Sequence, residues 1–147
     1  MASTYSSDLK LELMTTGEKS GTWGTITNTN LQQLEQAVSG YIAIAVGPSD
    51  VALALSNGAV SNGKNFYMKL TGTLTGNRVV TMPDSAERVF VVEDATARSS
   101  SNYTLTVKTV SGTGIALPVG STSLLYSDGT NISLGIQKKG YYTPSAN

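Results

Sequence analysis

The sequence predicts a mainly β protein: a jelly-roll-like β-sandwich entered through an N-terminal arm that carries one short α-helix. Three observations support that expectation. From residue 41 onward, apolar residues alternate with small or polar ones in short runs, the period-two pattern of a strand with one buried face. Gly, Asn and Asp separate these runs at short intervals, as the turns of a sandwich or barrel do. Residues 28–39 depart from this pattern and carry apolar residues at helical spacing. At 147 residues the chain suits one domain able to bury roughly two thirds of its unfolded surface.

The elements follow in order. Leu9, Leu11 and Leu13 alternate with Lys10 and Glu12, which predicts a strand over residues 8–14. Residues 15–25 are rich in Thr, Gly and Ser and hold the single tryptophan, Trp23, so they read as a loop with an aromatic anchor. Asn28 or Thr29 can cap a helix, because a short polar side chain accepts a bond from an unpaired backbone N–H. Leu31, Leu34 and Val38 then form a narrow apolar stripe, Glu35 lies on a solvated face, and Gly40 is a stop. Strands are expected at 41–46, 51–55, 66–74, 78–82, 88–93, 103–110, 115–117, 124–126 and 132–136. Asn57-Gly58, Asn62-Gly63 and Asp128-Gly129 are hairpin signals, since these residues tolerate positive φ. Residues 94–102 read as a polar loop. No repeat of 20–50 residues stands out as a solenoid period. The chain therefore divides into an arm (1–40), a β-sandwich domain (41–136) and a polar C-terminal tail (137–147).

Composition excludes several kinds of chemistry. Lys+Arg and Asp+Glu are both 10, so no basic excess is available for binding nucleic acid by phosphate neutralisation. The absence of Cys and His removes thiol nucleophiles, disulfides, ordinary zinc sites and imidazole acid–base catalysis. Ser and Thr together fill about a quarter of the chain, while charged residues are 14%. The longest apolar stretch, Tyr41 to Val46, is far shorter than the ~20 residues that span a bilayer, and the N-terminus lacks the pattern of a secretory signal. The expectation is a non-enzymatic protein with no cofactor, no metal, no nucleic-acid partner and no membrane partner.

Longer phrases sharpen this. The run Leu9 to Gly24 (LKLELMTTGEKSGTWG) leads into Thr27 to Glu35 (TNTNLQQLE). Further on come Leu70 to Gly76 (LTGTLTG), Arg78 to Pro83 (RVVTMP), Leu105 to Gly112 (LTVKTVSG) and Leu124 to Ile132 (LLYSDGTNI). Together, over about residues 5–136, they resemble small virion structural or tail-fibre-like proteins of tailed phages of marine bacteria and cyanobacteria. The resemblance implies a virion component made in a bacterial cytoplasm, of the tail-appendage class, contributing to particle assembly and host attachment. It further implies a homo-oligomer, with a trimer as the expected state, contacts to other virion proteins, and a host surface glycan or receptor as an outer partner. A capsid decoration or head-fibre protein is the alternative, and a free carbohydrate-binding module ranks below both.

The candidate residues follow from these readings. Trp23, Leu31, Leu34 and Val38 in the arm are the candidate partner and assembly contacts, as interfaces concentrate energy in aromatic and aliphatic anchors. Tyr141 and Tyr142 in the tail are candidates for outward recognition. The carboxylate pairs Asp84/Glu87 and Glu93/Asp94 lack the further oxygen ligands of a calcium site and read as solvated surface. Gly112-Thr113-Gly114 lacks the third glycine of a dinucleotide fingerprint and reads as a turn.

Overall fold

The computed structural model describes residues 3–136 of the chain. Tyr141 and Tyr142 lie outside the described residues. The arm holds a small hairpin, β1 (Thr4–Tyr5) with β2 (Glu12–Leu13), and one helix, α1 (Trp23–Ser39). The β region holds β3 (Tyr41–Ala45), β4 (Val51–Ala52), a 3-10 turn (Asn62–Lys64), β5 (Tyr67–Leu74), β6 (Arg78–Met82), β7 (Glu87–Arg98), β8 (Leu105–Thr109), β9 (Gly114–Ala116), β10 (Thr122–Asp128) and β11 (Ile132–Leu134).

Two sheets enclose the core, so the mainly β sandwich with a single helix stands as expected. One sheet has the order β11-β10-β7-β5-β3 and the other β4-β6-β8-β9. The connections are not those of a jelly roll, whose strands run antiparallel. From β3 to β8 the chain crosses from one sheet to the other at every strand, and β3, β5 and β7 pair in parallel, as do β4, β6 and β8. Only the last elements turn back: β9 on β8, and β10 on β7 and β11, are antiparallel.

The first part of the β region is thus a coil. Tyr41, Tyr67 and Val91 share one register position, and Val51, Val80 and Val107 share another, which sets the turn at 24–29 residues. The period escapes a search for similar residues because it resides in direction and spacing. One inward rung reads Ile42, Met68, Val92 and the next Ile44, Leu70, Asp94. The same topology corrects two hairpin expectations. Parallel strands cannot be joined by a two-residue turn, and Asn57-Gly58 and Asn62-Gly63 lie in the crossover from β4 to β5. Asp128-Gly129 does make its hairpin. Gly129 has φ +83°, and the Asp128 carboxylate accepts from the N–H groups of Thr130 (2.8 Å) and Asn131 (2.6 Å).

The core is apolar, with Phe90, Val92 and Leu125 from one sheet facing Val80, Met82, Leu105 and Val107 from the other. It becomes polar at one corner. The pairing of β10 with β7 begins at Thr122 opposite Glu93, so residues 94–98 of β7 have β5 on one side and no strand on the other. There the inward side chains are Asp94 and Thr96. Asp94 is inaccessible to solvent and pairs with Arg98 at 2.7 Å. Thr96 donates its N–H (3.1 Å) and its hydroxyl (2.6 Å) to Asp94. Arg98 Nε donates to the Tyr103 carbonyl (2.9 Å), which closes the turn into β8. The residues expected to form a polar loop therefore extend β7 to Arg98, and Asp94 is core rather than solvated surface.

Several half-buried or exposed carboxylates stabilise turns and edges in their charged form. The Tyr67 hydroxyl and then Lys69 hold Glu93 below the usual carboxylate range, and Ser111 does the same for Asp84. Ser3 and Lys19 lower Glu12, and the Asn131 and Thr130 N–H groups lower Asp128. All four have folded values below their unfolded ones. Their contribution is present above the unfolded pKa, about 4, and is lost as pH falls through the folded values. Melting temperature is therefore expected to fall below about pH 4. Asp128→Asn with Glu93→Gln should flatten that fall. A melting temperature that stays constant down to pH 2.5 would contradict it.

Candidate functional site

The candidate assembly residues lie on α1, whose limits differ from the expected ones. The helix begins at Trp23 instead of residue 28, so the tryptophan opens the helix and does not sit in a loop. The Lys19 carbonyl accepts from the N–H groups of Thr22 and Trp23, both at 2.9 Å, and starts the first turn. Asn28 and Thr29 are interior. The Thr29 hydroxyl is spent on the Thr25 carbonyl (2.9 Å), four residues back. Gly40 ends the helix as expected, though in an extended conformation. A Cβ there would lie 2.3 Å from the Gln36 carbonyl oxygen and 2.7 Å from Asn65 Oδ1, so only glycine fits.

The helix docks by a mixed side that its amides fasten. Ile26, Asn30, Gln33 and Ala37 recur at spacings of three and four and form a less exposed row along the helix. Asn30 bonds the backbone of Glu12 in both directions, accepting from its N–H (3.0 Å) and donating to its carbonyl (2.9 Å). Gln36 donates to the Ser61 carbonyl at 2.9 Å. Gln33 is the one fully buried helix residue, and it meets Lys64.

Lys64 is buried completely, which is rare for lysine. Its ammonium donates to Gln33 Oε1, to the Ser56 carbonyl (2.6 Å) and to the Ala59 carbonyl (2.7 Å). Three donors thus meet three acceptors. Burial, with the nearby Arg88 charge, pushes its pKa down to about 8, so it remains the ammonium at neutral pH. Arg88 donates in turn to the carbonyls of Gly63, Lys64 (3.0 Å) and Asn65 (2.9 Å) and stacks over Phe90 at 5.7 Å. Burial lowers it to about 10. Among the described residues, the ion pairs are Lys19–Glu12, Lys69–Glu93 and Arg98–Asp94, so neither cation has a carboxylate partner. Backbone carbonyls and one amide hold both charges, and through them the β4–β5 crossover, the helix and β7 are tied together.

The adjoining side of α1, roughly a quarter turn round the helix, faces out. Trp23 is 63% exposed, Leu31 57%, Leu34 40% and Val38 74%. At 100° per residue these four fall within one quarter of the helix surface, and Leu31, Leu34 and Val38 keep the three–four spacing of a coiled-coil seam. The structure therefore gathers all four predicted arm residues into one apolar stripe that the protein's own core leaves uncovered. A groove of about 450 Å³ lies beside the C-terminal half of the helix, between Gln36, Gly40, Tyr41, Val60 and Asn65.

Sequence reasoning missed two features. Lys64 and Gln33 carry no local signal, since both are ordinary surface residue types. Tyr41, Tyr67 and Tyr126, which look scattered in sequence, share the outer face of the five-stranded sheet, with Tyr41 and Tyr67 stacked at 5.8 Å. No group of carboxylates among the described residues could hold a metal ion. Among the described residues, no helix is long and apolar enough to cross a membrane. No protein-family model, curated protein or solved structure matches this chain.

Proposed function

We propose that the protein is a non-enzymatic structural component of a phage particle, of the tail-appendage class, which self-associates through the outward stripe of α1. The observation that carries the self-association is the apolar stripe that the docked helix leaves uncovered. The helix's polar residues Asn30, Gln33 and Gln36 fasten it, and its apolar residues Trp23, Leu31, Leu34 and Val38 are left for a neighbour. Covering four such side chains is worth on the order of 6–10 kcal/mol before association costs are subtracted. The virion setting is supported by the phrases of the arm and the β region that resemble phage structural proteins.

The self-association is tested by the solution mass of wild type and of Leu31→Glu/Leu34→Glu. Both substitutions are on exposed positions, so the far-UV spectrum should be unchanged while the oligomer is lost. A wild type that remains monomeric at the highest attainable concentration, or a variant of unchanged mass, would sink this reading. The setting is tested by antibody-gold labelling of intact particles. Label on the tail supports an appendage, label over the head replaces it with decoration of the shell, and no label on any particle removes the virion reading.

A further inference from the structure

The sandwich has four sheet edges, and they are not alike. β4 has two residues, and β9 and β11 have three each. β3 has five, Tyr41-Ile42-Ala43-Ile44-Ala45, with no charge and no proline. Proteins normally blunt an edge with charge, proline, a bulge or a covering element. Among the described residues, β3 shows none of these, and β5 is the one strand paired with it.

The register defines which backbone groups it leaves open. The Gly40 carbonyl accepts from Tyr67 N–H (2.9 Å), and Val46 N–H donates to the Thr71 carbonyl (2.7 Å). A strand in a parallel ladder uses alternate residues towards one neighbour. Residues 42 and 44 therefore serve β5, and the N–H and C=O groups of Tyr41, Ala43 and Ala45 point away from the sheet. No loop or cap bond among the described residues takes them up.

We infer that β3 is the pairing edge for a second copy of this chain, antiparallel across a two-fold axis through Ala43. The three open residues are symmetric about Ala43. A two-fold axis there sets Ala43 opposite its counterpart and Tyr41 opposite the counterpart of Ala45, and each such pair exchanges two hydrogen bonds. All the open groups are then satisfied by a single closed operation. The side chains agree. On the outer face Ala43 and Ala45 are small and leave room for the Tyr41 ring. On the inner face half-buried Ile42 comes opposite the counterpart of buried Ile44, which joins the two cores. No charge on β3 opposes the approach, and the chain's formal net charge is zero. This contact is separate from the α1 stripe and does not depend on it.

The chain has no cysteine, so single substitutions report the axis directly. Ala43→Cys places two sulfurs across the axis, with Cα atoms about 5.5 Å apart, within disulfide reach. Ser101→Cys, in an exposed loop, sets the rate of random collision. Under mild oxidation Ala43→Cys should cross-link at least tenfold faster than Ser101→Cys and stop at a covalent dimer. Ala45→Cys alone should not exceed the Ser101→Cys rate, whereas Tyr41→Cys mixed with Ala45→Cys should. The Ala43→Cys result should persist in the Leu31→Glu/Leu34→Glu background, so loss of the helix contact and loss of the edge contact are told apart. In that background, adding Ala43→Glu should reduce any remaining dimer to monomer with an unchanged far-UV spectrum. Cross-linking of Ala43→Cys at the collision rate overturns the pairing. Equal rates for Ala43→Cys and Ala45→Cys overturn the register.

Discussion

Lys64→Met is expected to destabilise the protein by about 3–5 kcal/mol, since each of three buried acceptors left without its donor costs about 1–3 kcal/mol and the lost desolvation cost of the ammonium offsets part of the sum, and to loosen α1 from the sandwich. Met fills much of the volume of the lysine stem, so the effect isolates the ammonium. Its removal leaves Gln33 Oε1 and the Ser56 and Ala59 carbonyls without their donor. Two of those acceptors are backbone atoms of the β4–β5 crossover and cannot rotate away. At this chain length the loss corresponds to roughly 10 °C or more in melting temperature. Urea unfolding of wild type, Lys64→Met, Gln33→Leu and the double variant measures it. The two substitutions should be non-additive, because the second removes an acceptor that the first has already orphaned. A Lys64→Met protein within 1 kcal/mol of wild type would show that water enters the cage and that the ammonium does not fasten the helix.

That cage also explains what could and could not be read from sequence. The strand β6, Arg78–Met82, was legible because Gly76-Asn77 and Pro83 bound it on both sides. β3 and β8 were legible from alternation alone. Alternation is silent on direction, however, since parallel and antiparallel strands bury the same alternate residues. The Asn-Gly dipeptides then favoured hairpins where the chain makes crossovers. β7 was cut short because Asp94, Thr96 and Arg98 read as a loop when taken singly, and become core only when they neutralise one another. The apolar stripe of α1 was visible in Leu31, Leu34 and Val38, whereas its direction depends on Gln33 meeting a lysine 31 residues later. A contact at that distance, between two residue types usually found on surfaces, leaves no local pattern.

The same logic yields the second large effect at the polar corner of the core. Asp94→Ala is expected to cost about 3–5 kcal/mol, because it leaves a buried guanidinium with no compensating charge. The Asp94 and Arg98 side chains are 0% and 5% exposed. After the substitution Arg98 would retain only the Thr96 hydroxyl (3.0 Å) and the Tyr103 carbonyl (2.9 Å). Replacing both partners, as Asp94→Leu/Arg98→Met, should recover most of the loss, to within about 2 kcal/mol of wild type, since the cost of desolvating two charges disappears with them. The contrast between single and double variants, read by urea unfolding, separates two accounts of the pair. If the double variant is as unstable as Asp94→Ala, the loss comes from the turn that Arg98 closes onto Tyr103, and the ion pair is secondary. If it recovers, the charges contribute little net stability, and the pair's role is positional. The pairing of β10 with β7 reaches no further than Thr122 opposite Glu93, so the last residues of β7 lie at a corner that no strand flanks. An aspartate, a threonine and an arginine bonded to one another can seal such a corner against water while holding the chain on course into β8.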